Sequence, residues 1–270
     1  MDLPNGIDSE ISRLAEQAVC WEPQAEILLD LIPVHQGWNC IDLGCGPRGV
    51  LWPLSRKVGG RGQVTGFDHN PFFIHAAEEF IEQNHLNNAK IIEGDLFNNS
   101  LKPHSFDLCH MRFVFTNIGC SLELVKEMAE LTQPGGVVIS EESDWASWNC
   151  FPFQPSWEKI KRSMIELFEI MGGDINAGVK THQLFSEAHL SEIQIRRVAL
   201  DMPVGHVYRS GLVRFALSLR EQILDSNILS RVEFSSLIAE CSEIVNDPSV
   251  KISSYTLCQV WGYVKKNISL

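Results

Sequence analysis

Between residues 38 and 142, short β-branched apolar runs alternate with segments whose apolar positions recur at helical spacing. That alternation predicts parallel strands joined by right-handed helical crossovers. The strands are expected at 39–43, 62–67, 89–93, 106–110 and 137–142, and the intervening helices at 50–58, 71–84 and 121–132. Asn70-Pro71 suits a helix start, with Asn as cap and Pro in the first turn. Upstream, residues 8–36 have helical periodicity broken near Trp21-Glu22-Pro23, which predicts a second helix from Pro23 through Leu31. Downstream, residues 155–171 and 180–188 read as helices and Glu192–Val198 as a sixth strand. A helical pair follows at 207–225 and 229–246, and then a last strand at 255–264. No repeat or low-complexity tract interrupts this order. The expected class is therefore α/β, with a seven-stranded, mostly parallel sheet and helices on both faces.

The chemistry concentrates at the carboxyl ends of the first strands, where ligands bind in open parallel sheets. Cys40-Ile41-Asp42-Leu43-Gly44-Cys45-Gly46-Pro47-Arg48-Gly49 places a glycine-rich turn behind an apolar strand. Glycine accepts positive φ and lets backbone approach a ligand, and the next helix offers unpaired N–H groups. The second strand ends at Asp68, an acid suited to both hydroxyls of a ribose, and the third runs into Gly94-Asp95-Leu96. Gly44-x-Gly46-x-x-Gly49 also matches the dinucleotide fingerprint of dehydrogenases literally. Asp42 ahead of the turn, and the Pro134-Gly135-Gly136 turn into Val137–Ser140, have no counterpart in that fingerprint.

Five segments in order, Ile41–Gly46, Asp68, Glu93–Leu96, Ser105–His110 and Gln133–Val137, resemble the class I S-adenosylmethionine-dependent methyltransferases. The likeness is to the small-molecule group that includes ubiquinone/menaquinone and natural-product enzymes, and it covers about residues 38–143. It implies a Rossmann-like sheet with the last strand antiparallel beside the fifth. S-adenosyl-L-methionine is the implied cofactor, with S-adenosyl-L-homocysteine as product. It further implies that Gly44, Cys45 and Gly46 approach the cofactor's amino-acid portion above Asp42, that Asp68 takes the ribose, and that His69 packs near the adenosine. Asp95 and Leu96 would meet the adenine, and the backbone at His110 would close the far side. The same fold also hosts cyclases and rearrangement enzymes that bind this cofactor without transferring its methyl group.

Composition narrows the partners. The 270 residues carry a formal charge of −12, which opposes nucleic-acid binding, since that depends on clustered Lys and Arg. The compact basic pairs Arg196-Arg197 and Lys265-Lys266 read as solvated strand ends. No apolar run reaches the ~20 residues that span a bilayer, and Met1–Gly6 has no signal-peptide character, so a cytoplasmic protein without membrane insertion is expected. Eight cysteines lack Cys-x-x-Cys spacing and read as reduced, with no metal site. The chain is expected to form one methyltransferase domain. Residues 1–37 would be a helical cover and 38–143 the cofactor-binding core, with 144–270 supplying the acceptor pocket, a helical lid between strands six and seven, and the last strands.

Methyl transfer is an in-line displacement, so positioning and exclusion of water dominate. The acceptor is expected to be a small hydrophobic or aromatic molecule. Trp145 and Trp148, just after the fifth strand, with Trp21, Tyr208 and Arg112, are the candidate acceptor contacts. Arg112 would hold an anionic acceptor or pair with Glu141 or Asp144. Candidate bases for an oxygen or carbon acceptor are His110, Glu142, Asp144 and His206. The sequence does not fix an oligomeric state.

Overall fold

Strands buried on both faces read as mainly apolar runs, and four such parallel strands build the centre of the sheet. The computed structural model describes residues 7–266; the Met1–Gly6 start of the expected cover and residues 267–270 lie outside the described residues. In chain order the elements are α1 (Ile7–Leu31), β1 (Asn39–Leu43), α2 (Leu51–Val58), β2 (Gln63–Asp68), α3 (Pro71–Gln83), β3 (Ala89–Glu93), β4 (Phe106–Arg112), α4 (Val114–Ile118), α5 (Leu122–Leu131), β5 (Thr132–Asp144) and β6 (Cys150–Phe151). They continue with α6 (Pro155–Ile170), α7 (Thr181–Glu187), β7 (Ser191–Val198), α8 (Gly211–Ser218), α9 (Arg220–Asp225), α10 (Arg231–Asn246), β8 (Lys251–Ile252) and β9 (Thr256–Tyr263).

Seven strands form one sheet in the order β3-β2-β1-β4-β5-β9-β7. The first five run parallel, while β9 inserts antiparallel between β5 and β7. The order reverses between β1 and β4, which places a ligand crevice outside their carboxyl ends. Side chains alternate across the sheet. Cys40, Leu108, Val137 and Ile139 pack under α1, α2 and α3, whereas Ile41, Leu43, Cys109, Met111 and Val138 pack against α4, α5 and α7. A third apolar cluster joins the first half of α1 to α6, α8, α9 and α10, and it is rich in tryptophan and tyrosine. No helix among the described residues is long and apolar enough to cross a membrane.

Several boundaries differ from expectation. Pro23 does not break the N-terminal helix: α1 runs through it, because its first half packs on the aromatic cluster and its second half on the sheet. That burial outweighs the lost N–H. β5 begins at Thr132, so Gln133-Pro134-Gly135-Gly136 lies within the strand at a register shift against β4. The expected helix at 207–225 begins only at Gly211 and divides into α8 and α9 at Leu219. Arg196 is not a solvated strand end, since its guanidinium bonds Gln259 and Gln24.

Candidate active site

The glycine turn is built around Asp42. Its Oδ2 accepts the N–H of Val50 at 2.9 Å, and a Cβ on Gly49 would lie 2.0 Å from that same oxygen, so only glycine lets the loop close over the carboxylate. Gly44 N and Cys45 N both donate to Phe67 O, which ties the loop to the end of β2. Gly46 differs: its φ is +56° and a Cβ there would meet nothing within 4 Å, leaving room directly above the turn. Its N–H donates to Asp68 Oδ2 at 2.8 Å, and Asp68 Oδ1 accepts Asn70 N at 2.9 Å. Each oxygen keeps a lone pair for a further donor. His69, beside it, is solvent-exposed. Asp95 is exposed and caps Phe97 N at 2.7 Å, while Leu96 packs against the apolar face. The expected cofactor residues therefore lie along one edge, across the carboxyl ends of β1, β2 and β3.

Beneath this edge runs a polar rib. His110 places Nδ1 2.7 Å from Asp42 Oδ1 and Nε2 2.9 Å from Glu141 Oε1, with all three residues buried. Both ring nitrogens face carboxylates, so both donate and the ring is an imidazolium. Burial alone would lower its pKa, but the charge of Asp42 and the bonds to both acids overcome this and raise it to about 9. Burial likewise pushes Glu141 upward, and the hydrogen bond from His110 together with the charge of Arg112 reverses this to leave it lowered. Gln259 Nε2 donates to Glu141 Oε2 at 2.6 Å and to Gln24 O at 3.1 Å, and Arg196 closes the row on Gln259 and Gln24. Strand register explains the alignment, with Asp42 opposite His110, Arg112 opposite Glu141, Glu141 opposite Gln259, and Gln259 opposite Arg196.

The four candidate bases do not converge. His110 is committed as a cation. Glu142 alternates to the other face, where it accepts Phe115 N at 3.1 Å and Thr116 Oγ1 at 3.4 Å; burial raises its pKa to about 8. Asp144, two residues on in β5, shares the face of Glu142, away from the rib. His206 Nδ1 accepts the N–H of Tyr208 at 3.1 Å.

Around the tip of β4 stands an aromatic wall centred on a residue the sequence did not single out. Tyr255 is fully buried, with ring centroids of Trp148, Trp21, Trp145, Phe113 and Tyr208 at 5.1 to 6.2 Å. Its hydroxyl accepts Trp21 Nε1 at 2.9 Å and Gln17 Nε2 at 3.1 Å, both from α1. Phe113 takes a left-handed φ of +57° at the turn from β4 into α4, and nothing in its residue type announces this. Trp21, Trp145, Trp148 and Tyr208 thus share one cluster, with Arg112 adjoining it through Phe113. One surface groove lies elsewhere: about 270 Å³ between α1 and α2, lined by Glu26, Asp30, Arg56 and Lys57, away from these strand ends. A small groove between helices is not where this sheet topology places chemistry.

A parallel sheet reversing at β1/β4, an antiparallel β9 beside β5, and a glycine turn facing an acid at the end of β2 together define a class I S-adenosylmethionine-dependent methyltransferase. Residues 34–193 match the family described as a methyltransferase domain, and the chain belongs to that family. Demethylmenaquinone methyltransferase of Staphylococcus haemolyticus is 27% identical over 175 residues, covering 60% of this chain and 72% of that protein. The enzyme of the same name from Staphylococcus epidermidis is 29% identical over 128 residues, and the chain spans about half its length, 51%. Phosphoethanolamine N-methyltransferase 2 of Haemonchus contortus, solved with S-adenosyl-L-methionine, superposes with a TM-score of 0.55 at 15% identity, over 92% of this chain and 53% of that one. A SAM dependent methyltransferase from Aquifex aeolicus gives 0.52 at 13% identity, over 92% and 97%. At those identities the structural likeness is one of fold. The cofactor of the class suits this edge, because Gly46 leaves space for it and Asp68 retains acceptor capacity.

Proposed function

We propose that this chain methylates a small hydrophobic or aromatic acceptor, of the quinone type that the names of its staphylococcal relatives carry. The observation that carries the reading is the open space above Gly46 beside the buried Asp68 carboxylate, next to the aromatic wall. Bound S-adenosylmethionine supplies an electrophilic methyl group on a sulfonium. In this reading Gly44, Cys45 and Gly46 cradle its amino-acid end over Asp42, Asp68 accepts the ribose hydroxyls, His69 lies near the adenosine, Asp95 and Leu96 meet the adenine, and the backbone at His110 closes the side.

The remaining work is positioning and drying. In this reading a planar acceptor docks against the buried cluster of Trp21, Trp145, Trp148, Tyr208 and Tyr255. Helix α1 and the helices between β7 and β9 form the cover, with α1 held to the glycine loop by Glu22–Arg48 and to α8 by Glu16–Arg214. The one-domain division into cover, core and acceptor half belongs to the same proposal, as does a small-molecule partner without nucleic acid.

Calorimetry with S-adenosylhomocysteine tests the cofactor half. Asp68→Ala is expected to weaken binding at least about tenfold, or about 1.4 kcal/mol, with Asp68→Asn intermediate. Unchanged affinity in both removes the assignment. Incubation with S-adenosylmethionine and 1,4-dihydroxynaphthalenes tests the transfer, read as methylated product by mass spectrometry.

A further inference from the structure

Arg112 ends β4, on the face of the sheet that carries the polar rib. Its side chain is only 7% exposed, and Nη2 donates to Gly49 O at 2.9 Å, which fixes the guanidinium over the glycine loop. Its other terminal nitrogen, Nη1, has no hydrogen-bond partner among the described residues. The nearest acid oxygen, Glu141 Oε1, is 4.0 Å away, beyond hydrogen-bond reach and already engaged by His110. A buried guanidinium donor left unmade is costly, and such groups normally find acceptors.

The charge count points the same way. The rib holds three cations, Arg112, Arg196 and the His110 imidazolium, against two carboxylates, Asp42 and Glu141. Glu141 is therefore shared, with His110 at 2.9 Å and Arg112 at 4.0 Å, so it does not satisfy the guanidinium. The guanidinium carbon lies 5.9 Å from the ring of Phe113, which meets Tyr255 edge-on at 6.0 Å, so the free donor sits beside the aromatic wall. The wall holds a second unmade donor: Trp148 Nε1 is buried without a partner among the described residues, 5.1 Å ring to ring from Tyr255. Of the candidate bases, His110 has no lone pair to offer, Glu142 and Asp144 face away, and His206 Nδ1 already accepts Tyr208 N.

We propose that Arg112 Nη1 binds an ionised oxygen of the acceptor, which makes the acceptor class a planar aromatic bearing a carboxylate or a phenolate-type oxygen. This rests on the methyl-transfer reading above. The acceptor loses its proton to solvent before it docks, and the guanidinium, not a general base, secures the charged form. Trp148 Nε1 supplies a neutral donor to a second oxygen. Arg112 is then the specificity-determining residue of the site.

The test is calorimetry on the full chain saturated with S-adenosylhomocysteine, using two anionic probes, 1-hydroxy-2-naphthoate and 2-hydroxy-1,4-naphthoquinone, and their uncharged partners, 1-naphthol and 1,4-naphthoquinone. The native protein is expected to prefer at least one anion over its partner by tenfold or more, and which one wins distinguishes carboxylate from phenolate-type oxygen. Arg112→Gln is expected to reduce that preference below threefold, and Arg112→Lys to retain more of it. No preference in the native protein, no binding of any probe, or a preference that survives in Arg112→Gln overturns the proposal. So does a loss of S-adenosylhomocysteine affinity in Arg112→Gln with the preference intact, which would assign Nη1 to the cofactor's carboxylate. Failure of the underlying reading shows separately, as native protein that does not bind S-adenosylhomocysteine at all.

Discussion

Gly46 and Gly49 have the same residue type and nearly the same backbone, with φ of +56° and +49°, yet they do different work. At Gly49 a methyl would press on Asp42 Oδ2, whose carboxylate is pinned by Val50 N and His110 and cannot retreat. Gly49→Ala is therefore expected to destabilise the fold by at least about 2 kcal/mol, from overpacking and positive-φ strain together, seen as a lower urea midpoint. At Gly46 the methyl enters open space, so Gly46→Ala should cost only the strain of about 1 kcal/mol. It should nonetheless weaken S-adenosylhomocysteine at least tenfold, since the methyl occupies the ligand's room. Equal effects of the two substitutions on stability would contradict this division. The sequence announced a glycine turn but not which glycine packs inward, because that depends on where the Asp42 side chain turns.

At the scale of elements, α1 joins the parts of the site. Its Gln17 and Trp21 bond the Tyr255 hydroxyl, Glu22 pairs with Arg48 of the glycine loop, and Gln24 meets Arg196 and Gln259. Pro23 stands in the middle of these contacts and removes one backbone donor from the helix. Pro23→Ala restores that donor and should stabilise the chain by about 1–3 kcal/mol, read as a raised urea midpoint; a drop would mean that the ring's packing outweighs the hydrogen bond. Proline in the helix also shows where reading the chain alone stops. The parallel strands were legible because β1, β2, β4 and β5 are buried on both faces and so read as mainly apolar runs, while the edge strand β3 kept its Ile91-Ile92 pair. The continuity of α1 was not, because tertiary packing overrides a local breaker. The polar rib was equally hidden: its members lie on five strands, and only the register of β1, β4, β5, β9 and β7 aligns Asp42, His110, Glu141, Gln259 and Arg196. Phe113's left-handed turn and the central role of Tyr255 likewise arise from packing.

For the molecule as a whole, two buried groups on opposite faces of the sheet tie stability to pH in the same direction. Burial raises Glu142 to about 8, against an ordinary carboxyl value near 4.5. His110, which burial alone would lower, is raised by Asp42 and Glu141 to about 9, against 6.5. Both hold a proton in the folded state that the unfolded chain has released, Glu142 between about 4.5 and 8 and His110 between 6.5 and about 9. Stability should thus fall as pH rises through these windows, by roughly 1.4 kcal/mol per pH unit for each group differing by a full proton. Glu141, whose pKa is lowered, acts oppositely: its contribution is present above about 4.5 and disappears as pH falls. Greatest stability is expected near pH 4.5 to 5, where Glu141 is ionised and the loss from Glu142 has only begun. Glu142→Gln separates the parts, since a neutral amide keeps an oxygen for Phe115 N without a proton to lose. Urea unfolding should show the variant close to the native protein at pH 5 and more stable than it at pH 9. The remaining decline between pH 6.5 and 9 then belongs to His110. Parallel native and variant curves across that range would mean that Glu142 stays ionised in the fold, and the acid behind the α4 turn would have to be counted as a buried charge.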